Sequence, residues 1–280
     1  MEKVSVIIPC FNSGSTINKT INSLRNQTWK NLEIIVVDDG SNDQYTIKVI
    51  KNLKDVKLIT QLNKGLPNAR NVGIENSTGN FFIPLDADDW LENDAIEKLL
   101  EALKKNKNAS YAYSFLSLEG ELNGTLKKSY NFFEQLFLNQ MPYCILLSKH
   151  IWSKVGKYDE TMVDGYEDWE FNIRLGINGY YGIVVQKPLF HYNVSSNGML
   201  ISNSLKKHGI LWGKIQKKHF KTYNFFSLIN LWKKWRKRPS RYPLVIYFFW
   251  KAIYEILPTK TFNFVFKFLL NFSHSRSLKR

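Results

Sequence analysis

The chain of 280 residues has only two cysteines, Cys10 and Cys144, and both lie in apolar runs. Two cysteines are too few for the disulfide framework of a small secreted domain, and a buried thiol is the ordinary expectation in such surroundings. The first residues also lack a basic stretch followed by an apolar one, so they predict no secretory signal. The sequence therefore favours a reducing, cytoplasmic location.

Long apolar runs are missing as well. A spanning helix needs about 20 predominantly apolar residues. The two longest candidate segments, 243–257 and 262–272, are shorter than this and are each interrupted by lysine. Such segments are typical of helices that lie in the headgroup region of a bilayer. The apolar content of 44% nevertheless supports a real core and excludes an intrinsically disordered chain.

Acidic residues are almost absent from the C-terminal quarter of the chain. Residues 206–280 hold 18 of the 39 Lys and Arg and 18 of the 41 aromatic residues, but only one of the 24 acids, Glu255. Residues 1–205 have a net charge of −2, against +15 for the whole chain. We therefore expect a near-neutral body at 1–205 and a basic, aromatic-rich helical extension at 206–280.

Short β-branched runs alternate with helical patterns through the first hundred residues. The runs 4–9 and 32–37 predict buried strands, and the segment 13–27 between them has apolar residues at helical spacing. This alternation predicts an α/β fold with a mostly parallel, Rossmann-like sheet flanked by helices, whose ligands bind beyond the carboxyl ends of the strands. The mixed pattern of 109–147 predicts no clear element boundaries.

Carboxylates directly follow two of the predicted strands. Asp86, Asp88 and Asp89 end one of them and would suit Mg²⁺ or Mn²⁺ that also contacts substrate phosphates. The same pattern also fits a surface turn that caps a helix. Asp39 ends the other strand, where it can accept hydrogen bonds from a nucleobase or ribose, or form an ordinary Asp-Gly turn.

Three weaker patterns add candidates. Arg70 lies on a predicted helix between the two acidic turns, where it can contact the same nucleotide or remain a solvated surface arginine. Glu167, Asp168 and Trp169 begin another predicted helix. There a carboxylate can take a proton from an acceptor hydroxyl while the indole stacks on a sugar, or the acids can simply cap the helix. His191 fits either a metal ligand or a partly buried histidine.

Taken in order, these motifs resemble family 2 glycosyltransferases of the GT-A fold, which are inverting and metal dependent. The resemblance covers about residues 3–200 and rests on six segments: VSVIIPCFN at 4–12, DDGS at 38–41, NARN at 68–71, DADD at 86–89, GKYDE at 156–160 and EDW at 167–169. It implies that a nucleotide-sugar, with UDP as the expected nucleotide, binds among Pro9, Phe11, Asn12, Asp39, Arg70 and Asp86.

The same resemblance implies the chemistry. Asp88 would bind Mn²⁺ or Mg²⁺, with His191 completing the metal site. Asp168 matches the general base, and Glu167 and Trp169 are candidate acceptor contacts. Asp168 would deprotonate an acceptor hydroxyl, whose oxygen attacks C1 of the donor sugar with inversion, while the metal stabilises the departing diphosphate.

Two other classes of protein compete with this hypothesis. A non-catalytic interaction protein that keeps the fold should have lost Asp88 or Asp168, and both are present. A nucleotidyltransferase usually opens with a Gly-rich, basic phosphate loop after its first strand. Residues 10–16 contain one glycine and no lysine or arginine, which disfavours that class.

The basic extension fits either an anionic membrane surface or a nucleic acid by charge alone. Its apolar run at 243–250 favours lipid over nucleic acid, and packing against the body is a further alternative. We therefore expect a peripheral protein on the inner face of the cytoplasmic membrane. Its expected acceptor is a glycan or lipid-linked oligosaccharide of surface polysaccharide biosynthesis.

Overall fold

The computed structural model of the protein describes residues 2–195, 204 and 206–266. The strands are β1 (Val4–Cys10), β2 (Leu32–Asp38), β3 (Lys57–Thr60), β4 (Phe81–Pro84), β5 (Trp90–Leu91), β6 (Tyr111–Gly120), β7 (Gly124–Leu126), β8 (Leu146–Ser148) and β9 (Gly182–Val194). The helices are α1 (Ile17–Arg25), α2 (Gln44–Lys51), α3 (Leu66–Glu75), α4 (Ala95–Lys105), α5 (Phe132–Gln135), α6 (Lys149–Val155), α7 (Glu167–Ile177), α8 (His208–Lys218), α9 (Phe220–Tyr223), α10 (Phe225–Trp235) and α11 (Leu244–Ile256).

The strands form one sheet in the order β3-β2-β1-β4-β8-β6-β9-β5, with β7 pairing on β6. Strands β3, β2, β1 and β4 are all parallel. The other half is mixed: β8 is antiparallel to β4 and β6, whereas β9 is parallel to β6. The predicted α/β fold, with a sheet flanked by helices, is confirmed.

Strand β1 is apolar at six of its seven positions, and Ser5 is the exception. All seven of its residues are buried, and successive side chains enter two different cores. Ile7 packs in the larger core with Ile35 of β2, while Val6 and Ile8 pack in the smaller core with α1. A strand covered on both faces cannot alternate apolar with polar residues, so a continuous apolar run is the expected signature.

The parallel half brings three strand ends together. Strand β1 lies between β2 and β4, with Cys10 opposite Asp38 and Ile7 opposite Pro84 in the register. The segments that leave β1, β2 and β4 therefore start at the same edge of the sheet. This edge receives both acidic turns that the sequence predicts.

The C-terminal helices pack into the larger core of the body. Trp212 of α8, Trp235 of α10 and Tyr247 of α11 join the cluster that contains Phe133 of α5 and Trp169 of α7. The boundary expected at residue 205 falls outside the described residues. In the described part, the extension therefore shares a core with the body. No helix in the described ranges is both long and apolar enough to cross a bilayer.

Candidate active site

The acidic turn leaves the end of β4 and leads into β5. Leu85 and Ala87 are buried in the smaller core. The residues that follow each of them, Asp86 and Asp88, are half-buried. Alternate apolar residues thus anchor the turn and leave the two acids at the edge of the sheet. Asp89 is almost fully buried and accepts a hydrogen bond from the backbone N–H of Asn193 at 2.7 Å.

Arg70 joins the acidic turn to the start of α7. Its guanidinium donates from Nη2 to Asp86 Oδ1 at 2.7 Å and from Nη1 to Glu167 Oε1 at 2.6 Å. The side chain is only 1% exposed and lies over the ring of Tyr143 at 4.6 Å. A buried cation needs such partners, since the removal of one leaves an uncompensated charge. Burial acts to lower the pKa of Arg70, but Asp86 and Glu167 raise it well above its ordinary value.

The carboxylates of the turn repel one another. Burial and the neighbouring charge of Asp86 raise the pKa of Asp88 to about 6. Its side-chain hydrogen bond is long, because Asn193 Nδ2 lies 3.5 Å from Asp88 Oδ2. Burial and the same negative neighbours raise the pKa of Asp89 well above its usual range. The turn is therefore a site of concentrated negative charge that a cation would stabilise.

Asp168 lies in the first turn of α7, half-buried. Its Oδ2 accepts a hydrogen bond from Asn139 Nδ2 at 2.9 Å. Burial raises the pKa of Asp168, while Arg70, Asn139 and Lys128 act in the opposite direction. Burial likewise raises the pKa of Glu167, which its partner Arg70 opposes. Arg70 therefore places two acids of α7 close to the acidic turn and favours their ionised forms.

The predicted nucleoside residues meet at the carboxyl ends of β1 and β2. Asn12, in a left-handed conformation with φ of 52°, accepts a hydrogen bond from the backbone N–H of Asn42 at 3.0 Å. Phe11 beside it is 46% exposed, and Pro9 is buried within β1. Asp39 lies at the same edge, where its backbone N–H donates to the carbonyl of Cys10 at 2.8 Å.

Asp39 also organises the segment that follows β3. Its Oδ1 accepts from Gln61 Nε2 at 2.7 Å and from the backbone N–H of Lys64 at 2.9 Å, and its Oδ2 accepts from the N–H of Gly65 at 2.8 Å. The carboxylate is buried. Each carboxylate oxygen has two lone-pair sites, so Oδ2 retains one acceptor position.

Two sequence segments of the resemblance contact each other directly. Glu160 accepts hydrogen bonds from Asn68 Nδ2 at 2.8 Å and from Asn71 Nδ2 at 2.9 Å. Asn71 also donates to the carbonyl of Tyr158 and accepts from its N–H, both at 2.9 Å. These asparagines fix α3 against the segment 156–160, and Arg70 between them is thereby held in position.

Three of the expected site residues have other contacts in the structure. Arg70 is buried against the carboxylates of Asp86 and Glu167. Trp169 is 2% exposed and donates to the carbonyl of Gln135 at 2.5 Å, so its ring is part of the core and has no face open to a sugar. His191 bonds Glu92 at 2.8 Å and Glu119 at 2.9 Å through its two ring nitrogens, so both nitrogens already have a partner.

Several site residues were not found from the sequence. The hydroxyl of Tyr143 accepts from the N–H of Asp86 at 2.9 Å and donates to Asp89, which fixes the acidic turn. Lys128 Nζ donates at 2.8 Å to the carbonyl of Asn139, the residue that holds Asp168. Burial lowers the pKa of Lys128 to about 8. All three lie in 109–147, where no regular pattern marks them.

Comparisons with known proteins agree with this geometry. A family model described as "Glycosyl transferase family 2" matches residues 5–156, more than half of the chain. Glycosyltransferase GlyA of Streptococcus pneumoniae serotype 4 is 31% identical over 227 residues, which cover 71% of this chain and 31% of that protein. Poly(ribitol-phosphate) beta-N-acetylglucosaminyltransferase TarP of Staphylococcus aureus is 42% identical over 114 residues, which cover 39% of this chain and 35% of that protein. The chain spans half or less of the length of the first curated relatives that it matches.

Solved structures show the same fold. TarS 1–349 of S. aureus in complex with UDP has a TM-score of 0.57 and 19% identity, and covers 76% of this chain and 65% of that chain. The same protein in complex with UDP-GlcNAc has a TM-score of 0.59, 18% identity and coverages of 76% and 65%. The sheet and flanking helices are therefore those of a GT-A glycosyltransferase. On the family match over residues 5–156, the chain belongs to glycosyl transferase family 2.

Proposed function

We propose that the protein transfers a sugar from a UDP-sugar to a hydroxyl of a glycan or lipid-linked acceptor, with inversion at C1. The observation that carries this proposal is the double pairing of Arg70 with Asp86 and Glu167. It brings the acidic turn after β4 next to the start of α7, where Asp168 lies. A set of oxygen ligands for a metal diphosphate and a candidate base are thus held at one edge of the sheet. The TarS complexes with UDP and UDP-GlcNAc support the choice of nucleotide.

The nucleoside is proposed to bind among Pro9, Phe11, Asn12 and Asp39. The ring of Phe11 is exposed and can pack on the base, and Oδ2 of Asp39 has a remaining acceptor site for a base N–H. A polar group of this kind discriminates among bases, because a base without an N–H at that position forgoes the additional hydrogen bond to the carboxylate. This arrangement predicts selectivity for the nucleobase at Asp39.

The donor set fits a divalent metal. The pKa of the Asp88 carboxyl is raised to about 6, and its side-chain partner Asn193 lies at 3.5 Å. A bound cation would stabilise the ionised carboxylate and supply it with a closer partner. In the described residues no group of three or more His, Cys, Asp and Glu side chains forms a closed metal cage. Mg²⁺ and related ions are often held by one or two carboxylates plus substrate phosphates, which matches Asp88 with Asp86 nearby. When bound, Mn²⁺ or Mg²⁺ neutralises the developing charge of the leaving diphosphate.

The proposed base is Asp168. Asn139 occupies its Oδ2, which leaves Oδ1 to accept the proton of an acceptor hydroxyl. The N-terminal turn of α7 favours a carboxylate, and Arg70 and Lys128 oppose the effect of burial on its pKa. Asp168 takes the proton as the acceptor oxygen attacks C1, so one displacement suffices and no second carboxylate nucleophile is needed.

The acceptor and the location follow from the extension. We propose that the acceptor is a lipid-linked precursor of a surface polysaccharide, and that the protein works as a peripheral protein on the cytoplasmic face of the membrane. The surplus of positive charge in the extension supports both parts of this proposal.

A donor panel tests the proposed reaction. Release of nucleoside diphosphate is measured from UDP-, GDP- and dTDP-sugars, with Mn²⁺ and with chelator. We expect release from a UDP-sugar that depends on the metal, and its loss in Asp88→Asn. Release from GDP- or dTDP-sugars alone, or equal release with chelator, contradicts the assignment of donor or metal respectively.

A further inference from the structure

Helix α11 is apolar on both of its faces. Its inner side contributes Tyr247, which is buried in the larger core. Its outer side carries Val245, Phe249 and Ile256, which are 68%, 59% and 78% exposed. These three residues are spaced by four and seven positions and therefore share one side of the helix. A surface helix normally presents polar residues on that side, so α11 has an apolar face without a partner among the described residues.

The start of α10 extends this surface. Phe225 and Phe226 are 59% and 78% exposed, and the ring of Phe225 contacts that of Phe248 on α11 with centroids 5.4 Å apart. We call the five residues Phe225, Phe226, Val245, Phe249 and Ile256 the outer apolar face. Contiguous exposed apolar surface of this kind marks an interaction site in a soluble protein.

The charges beside the outer apolar face are nearly all positive. Most basic side chains of the extension form no ion pair within the described ranges; the exceptions are Lys207, Lys218 and Lys251. Lys237, Arg238 and Arg241 are exposed in the connection between α10 and α11. Exposed cations next to an apolar helix face complement a surface that is anionic outside and apolar inside.

We propose that the outer apolar face docks on an anionic lipid bilayer, with α11 lying in the headgroup region. Helices of this kind bind through buried apolar area together with attraction to anionic lipids. A second copy of this chain fits less well, because two such surfaces would bring like charges together. Residues 267–280 are also basic and contain no acid, so the same repulsion disfavours them. A nucleic acid would satisfy the cations but leave the apolar side chains in water.

The docked helix is connected to the candidate base by a short series of hydrogen bonds. On the inner side of α11, the hydroxyl of Tyr247 donates to Glu134 of α5. The next residue of α5, Gln135, donates to Asn139 at 3.0 Å, and Asn139 donates to Asp168. Docking through α11 would thus hold the part of the site that contains Asp168 close to the bilayer. The docking itself does not require the proposed sugar transfer.

A fluorescent label on α11 tests the docking directly. Both native cysteines are buried, so a cysteine introduced as Phe249→Cys can be labelled selectively with an environment-sensitive fluorophore. The matched control is Leu122→Cys, at an exposed apolar position between β6 and β7. We expect a blue shift of the α11 label with vesicles of phosphatidylcholine and phosphatidylglycerol, and none for the control. No shift at Phe249→Cys, or equal shifts at both positions, overturns the proposal.

Vesicle sedimentation tests the residues without a label. Val245→Gln with Phe249→Gln should weaken binding to the same vesicles by about tenfold or more, since two apolar side chains no longer enter the bilayer. Leu122→Gln should bind like the unchanged protein, and circular dichroism checks that each variant is folded. Unchanged binding of the double variant contradicts the proposal. Two other results would also contradict it. One is a dimer in light scattering that the double variant abolishes, which would make a second copy of the chain the partner. The other is a label on α11 that is shielded from water in the absence of vesicles and becomes exposed when 267–280 is deleted. None of these measurements depends on turnover, so they test the docking even if the proposed sugar transfer proves wrong.

Discussion

The acidic site and the basic extension use charge in opposite ways. In the site, Arg70 is 1% exposed and is held between Asp86 and Glu167. In the extension, most cations are exposed, and Lys237 and Arg238 have no carboxylate partner in the described part of the chain. Buried charges are costly unless they are paired, whereas exposed ones contribute little to stability. The paired charges of the site are therefore needed for stability, while those of the extension are available for a partner.

The largest expected effect concerns the candidate base. Asp168→Asn should lower the rate of sugar transfer by about 10² to 10⁴, the usual contribution of a general base, because the amide cannot accept the proton. Binding of UDP should change little, since Asp168 is proposed to serve the acceptor. Asp55→Asn is the control, because it is an exposed residue at φ of 58°, where asparagine is tolerated. Transfer at the unchanged rate in Asp168→Asn would remove the role.

The second prediction concerns the buried cation. Arg70→Met should destabilise the protein by about 3–5 kcal/mol at neutral pH, because Glu167 and Asp86 lose their shared partner. Denaturant unfolding measures the change. The loss should shrink at acidic pH, where the two carboxyls can be protonated. A loss below about 1 kcal/mol, the scale of a surface ion pair, would show that the buried pairs of Arg70 contribute no more to stability than exposed charges do.

The third prediction concerns the effect of Asp88 ionisation on the stability of the fold. The folded-state pKa of Asp88 is raised from 3.8 to about 6, so the ionised carboxylate opposes folding. This effect is absent below the unfolded pKa and grows as the pH rises through about 6. Asp88→Asn should therefore stabilise the metal-free protein by about 1–3 kcal/mol at pH near 7 and hardly at all near 4. Denaturant unfolding at the two pH values measures the change in stability. Destabilisation of Asp88→Asn near pH 7 would show that the negative charge of Asp88 is already compensated in the folded protein.

The smallest expected effect lies in the extension. Lys237→Gln with Arg238→Gln should change the free energy of unfolding by no more than about 0.5 kcal/mol, because neither side chain has an ion-pair partner among the described residues. Thermal unfolding measures the change, and Lys218→Gln serves as a contrast because Lys218 pairs with the buried Glu170 at 3.0 Å. A large loss in the double variant would show that charges of the extension also hold the fold.

Much of the parallel half of the sheet could be predicted from the sequence. The apolar runs at 4–9 and 32–37 correspond to β1 and β2, and the predicted helix that carries Arg70 corresponds to α3. These elements are predictable because a strand covered on both faces requires a continuous apolar run. The acidic turns are predictable for a related reason, since carboxylates that directly follow such strands must lie at the ligand-binding edge.

The rest depends on contacts that are distant in sequence. Arg70 and Glu167 are 97 positions apart, and no local pattern indicates their ion pair. Trp169 fits either a sugar-stacking role or the core, and only its contacts with His208 of α8 and with the carbonyl of Gln135 decide for the core. Tyr143 and Asn139 lie in a segment of mixed pattern, where local propensity is weak. The sequence of α11 is apolar except for Lys251 and Glu255, so its inner and outer faces could not be distinguished before the fold was known.

The acidic turn after β4 is proposed to hold a UDP-sugar through a divalent metal. Calorimetric titration of UDP into the protein, with Mn²⁺ and with chelator, measures this binding. We expect binding that requires Mn²⁺, that weakens as the pH falls below about 6 because Asp88 is then protonated, and that is lost in Asp88→Asn. Equal affinity for UDP with chelator, or in Asp88→Asn, would contradict it.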